Sequence, residues 1–319
     1  MKIVFLILLS LTLSAGDILT SYRTGGSKDF EKQMDLELTR NDYWNRYLET
    51  VDTTFGYLED FTSVLTCNVE KSNLTLYKQN KNQKFEVAKD YDAFTGKIKG
   101  EKIKEGDLRT PLGVYQITKK LSKVDTFYGP LALVTSYPNT YDRYRGRDGS
   151  GIWIHGLPTN QARDDYTKGC IAINNSSLEC LDKRINIDKT LLIISASTTK
   201  KDVSKKLLAD VLAQLYLWRY TWLYNDTQGY LNFYSPDFVR EDGMRYDAFI
   251  NYKKRIFSKA EKKTIIFNNI NVVPYPNLPD TYQITFKEFY SSATVNFTGD
   301  KTLIAKLTKD NKIKIFTEN

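Results

Sequence analysis

Gly151-Ile-Trp-Ile-His155-Gly156, followed after a polar loop by Tyr166-Thr-Lys-Gly-Cys170-Ile-Ala-Ile173, is the stretch on which the reading of this chain turns. His155 is the only histidine in 319 residues, and it stands 15 positions before Cys170. A cysteine nucleophile needs a base to form its thiolate. Thiol chemistry in this protein would therefore pair Cys170 with His155. Read as strands, Trp153 and His155 share one face and Ile152 and Ile154 the other, and Cys170 and Ala172 oppose Ile171 and Ile173 in the same way. Each strand has an apolar face for a core and a face that carries a reactive group. Adjacent pairing of the two strands predicts Cys170 and His155 within hydrogen-bond reach. Gly156 and Gly169 flank the pair and allow close backbone approach, and backbone N–H groups near Cys170 would supply an oxyanion hole. A single strand Cys or His is more often core filler than catalyst. The His-Gly and Lys-Gly-Cys pieces together in one strand–loop–strand unit are more specific.

Upstream, the period is two from about Thr62. Leu74 and Leu76 and the run Lys84–Ala88 flank the polar turn Lys78–Gln83, a hairpin signal. A turn at Gly106–Pro111 leads into a strand ending near Ile117, and Tyr128-Gly-Pro130 and Tyr137-Pro-Asn139 separate further short apolar runs such as Leu131–Val134. A short helix is expected over Ser176–Arg184 and a strand over Leu191–Ile194. Residues 62–198 are thus a mainly β domain. Beyond a polar boundary at Ser197–Asp202, Val203–Tyr224 has helical periodicity. A second helix is expected over Arg245–Ala260, then strands at Thr264–Phe267, Thr281–Glu288, Ser292–Phe297, Leu303–Thr308 and Lys312–Phe316. Helices followed by an antiparallel sheet make residues 199–319 an α+β domain.

The N-terminus reads as a secretory leader over residues 1–16: Lys2, an apolar core from Ile3 to Leu13, then Ser14-Ala15-Gly16. The expected location is the periplasm. Residues 17–61 form a helical segment, with apolar positions at helical spacing from Asp29 to about Asp60. It is expected either to pack on the next domain or to be an association surface for a homodimer. The net charge of +8 is spread along the chain, with no Lys/Arg block dense enough for nucleic acid. Three cysteines, Cys67, Cys170 and Cys180, leave at least one thiol free in an oxidising compartment. Their pairing is open. One His and three scattered Cys make no zinc site, and no cofactor is expected.

His155-Gly156 … Thr167-Lys168-Gly169-Cys170-Ile171 resembles the active-site signature of the L,D-transpeptidase (YkuD-type) family, a His-Gly, a loop, then Ser/Thr-x-Gly-Cys. Gly106 … Thr110-Pro111-Leu112-Gly113-Val114-Tyr115 resembles its upstream Thr-Pro-x-Gly strand. The likeness covers about residues 64–197 and implies a β-sandwich or barrel acting on peptidoglycan stem peptides. By that resemblance Cys170 attacks the carbonyl after the L-centre of meso-diaminopimelate, D-Ala leaves, and His155 is base and then acid. The imidazole would be oriented by Gly156 O or the Thr167 hydroxyl. Many members carry Arg two residues after the cysteine, where this chain has Ala172. Substrate carboxylates would then fall to Lys168, Arg143, Arg145 or Arg147, and Trp153 would wall the groove or simply pack.

Ala172 and the overall layout are similar to the cell-shape L,D-carboxypeptidases of helical and curved bacteria. Those carry a C-terminal domain resembling nuclear transport factor 2, whose pocket here would involve Trp218, Trp222 and Tyr230–Tyr234 and take a glycan or second ligand. The expected activity is hydrolysis of the meso-diaminopimelate–D-Ala bond. The alternatives are an L,D-transpeptidase that crosslinks or attaches proteins to the wall, and a non-catalytic wall- or glycan-binding scaffold. A papain-like protease is disfavoured, because its Cys precedes its His.

Overall fold

The computed structural model describes residues 15–159, 164–197 and 203–319. The expected leader, apart from its last two positions, and the expected boundary at 198/199 lie outside the described residues.

The chain opens with α1 (Ala15–Leu38), bent at Gly26, and α2 (Asn41–Leu48). Trp44 and Leu48 lie on the buried face of α2, and the Asp35 carboxylate of α1 meets Arg219 Nη1 at 2.7 Å on the first helix of the C-terminal domain. The helical pattern expected to run to Asp60 stops at Leu48. After Gly56 the chain enters a two-residue strand, β1 (Tyr57–Leu58). Gly56 has φ +111°, and a Cβ there would lie 2.1 Å from Val272 O. Only glycine permits this turn and this approach. The end of the N-terminal segment is thus an edge strand of the C-terminal sheet, with Tyr57 opposite Val272.

The middle of the chain is a closed barrel. Its strands are β2 (Ser63–Asn68), β3 (Asn73–Gln79), β4 (Phe85–Phe94), β5 (Gly113–Leu121), β6 (Ala132–Thr135), β7 (Trp153–His155), β8 (Ile171–Ile173) and β9 (Thr190–Ser195), in the spatial order β2-β3-β4-β8-β7-β6-β5-β9. Parallel pairing of β2 with β9 closes it. Helix α3 (Thr140–Tyr144) follows β6, and α4 (Asn175–Arg184) follows β8. Alternate residues fill the interior: Leu65, Leu74, Leu76, Tyr115, Leu133, Ile154 and Ile171 are fully buried. Each such aliphatic side chain stabilises the fold by about 2 kcal/mol. Cys67 belongs to this interior, and burial pushes its thiol up to about 12. Among the described residues no disulfide forms.

The C-terminal domain contains α5 (Lys205–Leu223), α6 (Thr227–Leu231), α7 (Tyr246–Phe257), β10 (Lys263–Pro274), β11 (Thr281–Ser292), β12 (Asn296–Leu307) and β13 (Ile313–Glu318). With β1 they make an antiparallel sheet in the order β1-β10-β11-β12-β13. The two short strands expected at Ser292–Phe297 and Leu303–Thr308 are one long strand. The turn falls earlier, closed by Ser292 N–H donating to Val295 O at 2.8 Å. Gly299-Asp300 runs straight through, because both residues pair with β11 at Glu288 and Lys287. One sheet face and the helices enclose Trp218, Tyr230, Phe267 and Phe286. The other face shares a core with the barrel, where Val273, Tyr275 and Ile304 meet Phe61, Val64, Val114 and Ile193. Among the described residues no helix is long and apolar enough to cross a membrane.

Candidate active site

Strands β7 and β8 are parallel neighbours, with Ile154 opposite Ile171 and His155 opposite Ala172. Ile152, Ile154, Ile171 and Ile173 all enter the barrel core, so the apolar face is as the alternation predicts. The stagger differs from direct opposition of the reactive pair. His155 ends β7, whereas Cys170 lies just before β8 and meets the start of β7. The Cys170 thiol donates to Gly151 O at 3.3 Å and accepts from the backbone N–H of Trp153. Burial pushes the thiol upward, and the Trp153 N–H and the charge of Lys102 act against that rise.

His155 is 3% exposed. Its Nδ1 lies 2.7 Å from Gly156 O. A carbonyl only accepts, so Nδ1 carries the proton and a neutral ring has its lone pair on Nε2. The Tyr128 ring stands edge-on to the imidazole at 5.1 Å and also meets Trp153 at 5.1 Å. Gly156 N–H donates to Tyr128 O at 2.9 Å. Asn175, at the start of α4, grips Leu157 from both sides, accepting from its N–H at 2.7 Å and donating to its O at 3.1 Å. Its Oδ1 presses on Gly156, where a Cβ would lie 2.1 Å away. The support formed by Tyr128 and Asn175 was not read as such in the sequence. The Tyr128-Gly-Pro130 turn was its visible trace.

Of the two candidates for orienting the imidazole, Gly156 O makes the contact. Thr167 is occupied otherwise: its hydroxyl donates to Cys170 O at 2.6 Å and accepts from Gly169 N–H at 3.0 Å. It shapes the turn that presents the thiol. Gly169 adopts φ +137° in that turn, against Arg109 O.

The four candidate cations separate. Lys168 is exposed and lies two residues before Cys170 in the chain. Arg143 pairs with Glu241 of the C-terminal domain at 2.7 Å. Arg145 reaches Glu101 at 3.6 Å. Arg147 is buried, with Nη1 3.0 Å from Asp142 and Nη2 2.8 Å from Glu101. Asp142 also accepts from Tyr115 OH at 3.0 Å and caps α3. A guanidinium locked between two carboxylates holds the fold, and the expectation that Arg147 meets substrate is corrected on that ground. Trp153 is half-buried beside the thiol. Ala172 is fully buried, so a long cationic side chain has no room at that position.

The C-terminal domain holds a cavity, lined by Trp222, Lys253, Glu288, Tyr290 and Phe297. Lys253 Nζ lies 5.1 Å from the Trp222 ring centre and 5.2 Å from that of Tyr230, and burial lowers it to about 8. The sequence pointed to Trp222, which lines the cavity, but also to Trp218, Tyr230 and Tyr234, which are buried in the domain core. It did not single out Lys253 or Glu288, which look like surface charges until the helix and strands are assembled.

Residues 62–194 match the L,D-transpeptidase catalytic domain family (YkuD), and residues 210–319 match the Cds6 C-terminal NTF2-like domain. The protein YafK of Escherichia coli (strain K12) is 32% identical over 80 residues, which is 25% of this chain and 29% of YafK. The match thus spans under a third of that curated relative. The crystal structure of the helical cell shape determining protein Pgp2 from Campylobacter jejuni is similar over nearly its full length: TM-score 0.81, 35% identity, 88% of this chain and 99% of that one. A point variant of Pgp2 gives 0.83 at 34% identity, with 89% and 99% covered. Bd1075 of Bdellovibrio bacteriovorus gives 0.65 at 25% identity, with 85% and 96% covered.

Proposed function

Because this chain belongs to the L,D-transpeptidase (YkuD) family, in the architecture that adds a C-terminal NTF2-like domain, we propose that it is a periplasmic peptidoglycan L,D-carboxypeptidase. It trims tetrapeptide stems to tripeptides at the meso-diaminopimelate–D-Ala bond through a Cys170 thioester. The observation that carries the reading is the His155 Nδ1–Gly156 O contact at 2.7 Å, which puts the proton on Nδ1 and leaves Nε2 as the basic nitrogen of the ring.

His155 Nε2 takes the thiol proton, and the thiolate, steadied by the Trp153 N–H, attacks the carbonyl carbon. The tetrahedral oxyanion collapses, the C–N bond breaks, and His155 returns its proton to the departing D-Ala amine. Water then loses a proton to His155 and adds to the thioester carbonyl. Collapse releases the tripeptide carboxylate and the thiol. Gly156 O stabilises the imidazolium at each transfer.

Hydrolysis is favoured over transfer by Ala172. No cation stands at that position to hold the carboxylate of an acceptor stem, so water meets the acyl-enzyme without that competitor. The name of the Campylobacter relative ties that protein to helical cell shape, and a part in cell shape is proposed here on the same footing. The C-terminal cavity, with its aromatic walls and Lys253, is proposed to hold a glycan or second wall ligand. The decisive experiment incubates purified protein with tetrapeptide muropeptides. Release of free D-Ala, abolished in Cys170→Ala, is expected. Full activity in Cys170→Ala would overturn the mechanism, and dimeric products would move the assignment to transpeptidation.

A further inference from the structure

Asn175 opens α4, where an asparagine ordinarily serves its own helix as a cap. Here the cap position, Asn174, makes no side-chain cap, and the Asn175 side chain reaches back across the end of β7. Its Oδ1 accepts from Leu157 N–H at 2.7 Å, and its Nδ2 donates to Leu157 O at 3.1 Å. An N–H requires the oxygen of the amide and a carbonyl requires its nitrogen, so both ends of the side chain are fixed. The oxygen lies in a slot between two glycines. Cβ atoms at Gly156 and Gly129 would come within 2.1 and 2.4 Å of it.

Leu157 N–H and Gly156 O belong to one peptide unit. The unit is planar and trans, so its N–H and C=O point opposite ways. Holding the N–H on Asn175 therefore aims the carbonyl, and that carbonyl meets His155 Nδ1 at 2.7 Å. The preceding peptide is held as well, by Gly156 N–H donating to Tyr128 O at 2.9 Å. A peptide whose N–H already donates is a stronger acceptor at its oxygen. Imidazole, peptide and amide thus form one hydrogen-bonded chain. A single strand sets both ends of the site. Cys170 immediately precedes β8, and Asn175 stands five positions later, just past its end. Parallel pairing with β7 places the thiol against the start of that strand and the amide against the residues that follow His155.

We propose that Asn175 is a positioning residue for His155: through the 156–157 peptide it fixes the Nδ1–H tautomer, leaves Nε2 as the basic nitrogen, and steadies the imidazolium once Nε2 has taken a proton. The inference rests on the reading of His155 as the base, and its test separates the two.

His155 is the only histidine in the chain, so NMR of protein carrying isotope-labelled histidine reports this ring alone, both its tautomer and its titration midpoint. The wild-type ring is expected as the Nδ1–H tautomer, and finding the Nε2–H tautomer overturns the inference. Losing a partner of the imidazolium lowers the midpoint. In Asn175→Ala a mixture of tautomers is expected, with the midpoint lower by about one pH unit, a tenfold change in the ratio of imidazolium to imidazole. The kcat for D-Ala release should fall about tenfold or more with KM little changed. Asn175→Asp keeps an oxygen for Leu157 N–H and adds a negative charge, so its midpoint is expected to rise above that of the wild type. Of the titratable groups around the ring, Tyr128 stands edge-on at 5.1 Å from the segment before β6, and Lys168 and Cys170 come from the turn before β8. All three are the same in the wild type and the variants, so a changed midpoint reads Asn175. An unchanged tautomer and midpoint in a variant that folds by circular dichroism overturn the inference even if D-Ala release slows, because the loss is then structural. Failure of both variants to fold assigns Asn175 to the stability of the barrel and overturns it too. Midpoint shifts of opposite sign in a protein that never releases D-Ala support the inference and overturn the proposed reaction.

Discussion

At the residue scale the site depends on two contacts that a single methyl group or oxygen decides. Gly156 has no space for a Cβ beside Asn175 Oδ1. Gly156→Ala is therefore expected to displace the carbonyl that holds His155 Nδ1 and to lower kcat for D-Ala release about 100-fold, consistent with the loss that small misplacement of catalytic groups brings. Steady-state kinetics would show it, and an unchanged kcat would remove Gly156 O as the orienting group. Thr167→Val keeps the volume and deletes the hydroxyl that bridges Cys170 O and Gly169 N. A loss of about 1–2 kcal/mol in denaturant unfolding is expected together with reduced activity. Asp107 carries a pH signature. Against burial, which raises it, the Lys102 ammonium and its backbone partners hold its carboxyl at about 2, below the ordinary value of 3.8. A lowered folded-state value contributes stability that is present above about pH 4 and lost as pH falls toward 2. Asp107→Asn should flatten acid unfolding in that window, measured by circular dichroism.

The residue scale also shows what the sequence could carry. Alternation told which face of β7 and β8 holds His155 and which is core, because a period of two is independent of the neighbouring strand. It could not tell the stagger between strands, which is set by the loops and by hydrogen bonding. Cys170 consequently sits against Gly151 and Trp153 and not across from His155.

At the scale of elements, β8 is the informative strand. Ala172 is enclosed, with Phe94 of β4 on one side and His155 of β7 on the other. Ala172→Arg is expected to fail as a route to crosslinking activity, because the buried guanidinium would find no partner and would destabilise the fold by about 3–5 kcal/mol. Thermal melting and muropeptide product analysis of that variant would check both halves of the expectation. The long strand β12 and the short strand β1 mark where local pattern misled. Gly299-Asp300 has turn composition but lies in the interior of a sheet with partners on β11. Tyr57 and Leu58 follow a helical spacing, yet two residues are too few for periodicity to tell strand from helix. The long, evenly patterned elements α5 and α7 were legible, since each presents a broad apolar face.

For the whole molecule, the barrel and the C-terminal sheet meet through apolar side chains from both, with Val64, Val114 and Ile193 on one side and Val273, Tyr275 and Ile304 on the other. The Arg143–Glu241 pair adds a charged link. A barrel cut off after residue 197 would expose that face, which is the kind of contiguous apolar patch that drives aggregation. Calorimetry of the full chain should give one cooperative transition, whereas two well-separated transitions would show that the shared core contributes little.

The strand β1 has a consequence for how the protein is made. Roughly two hundred residues of chain separate Tyr57 from its neighbour Val272, and the entire barrel is inserted between them. While the chain is threading out of a ribosome or through a membrane, the segment that precedes the barrel has nothing to pair with until β10 arrives. Completion of the C-terminal sheet therefore ties the segment before the barrel to the domain after it, and holds the barrel between two parts of one sheet.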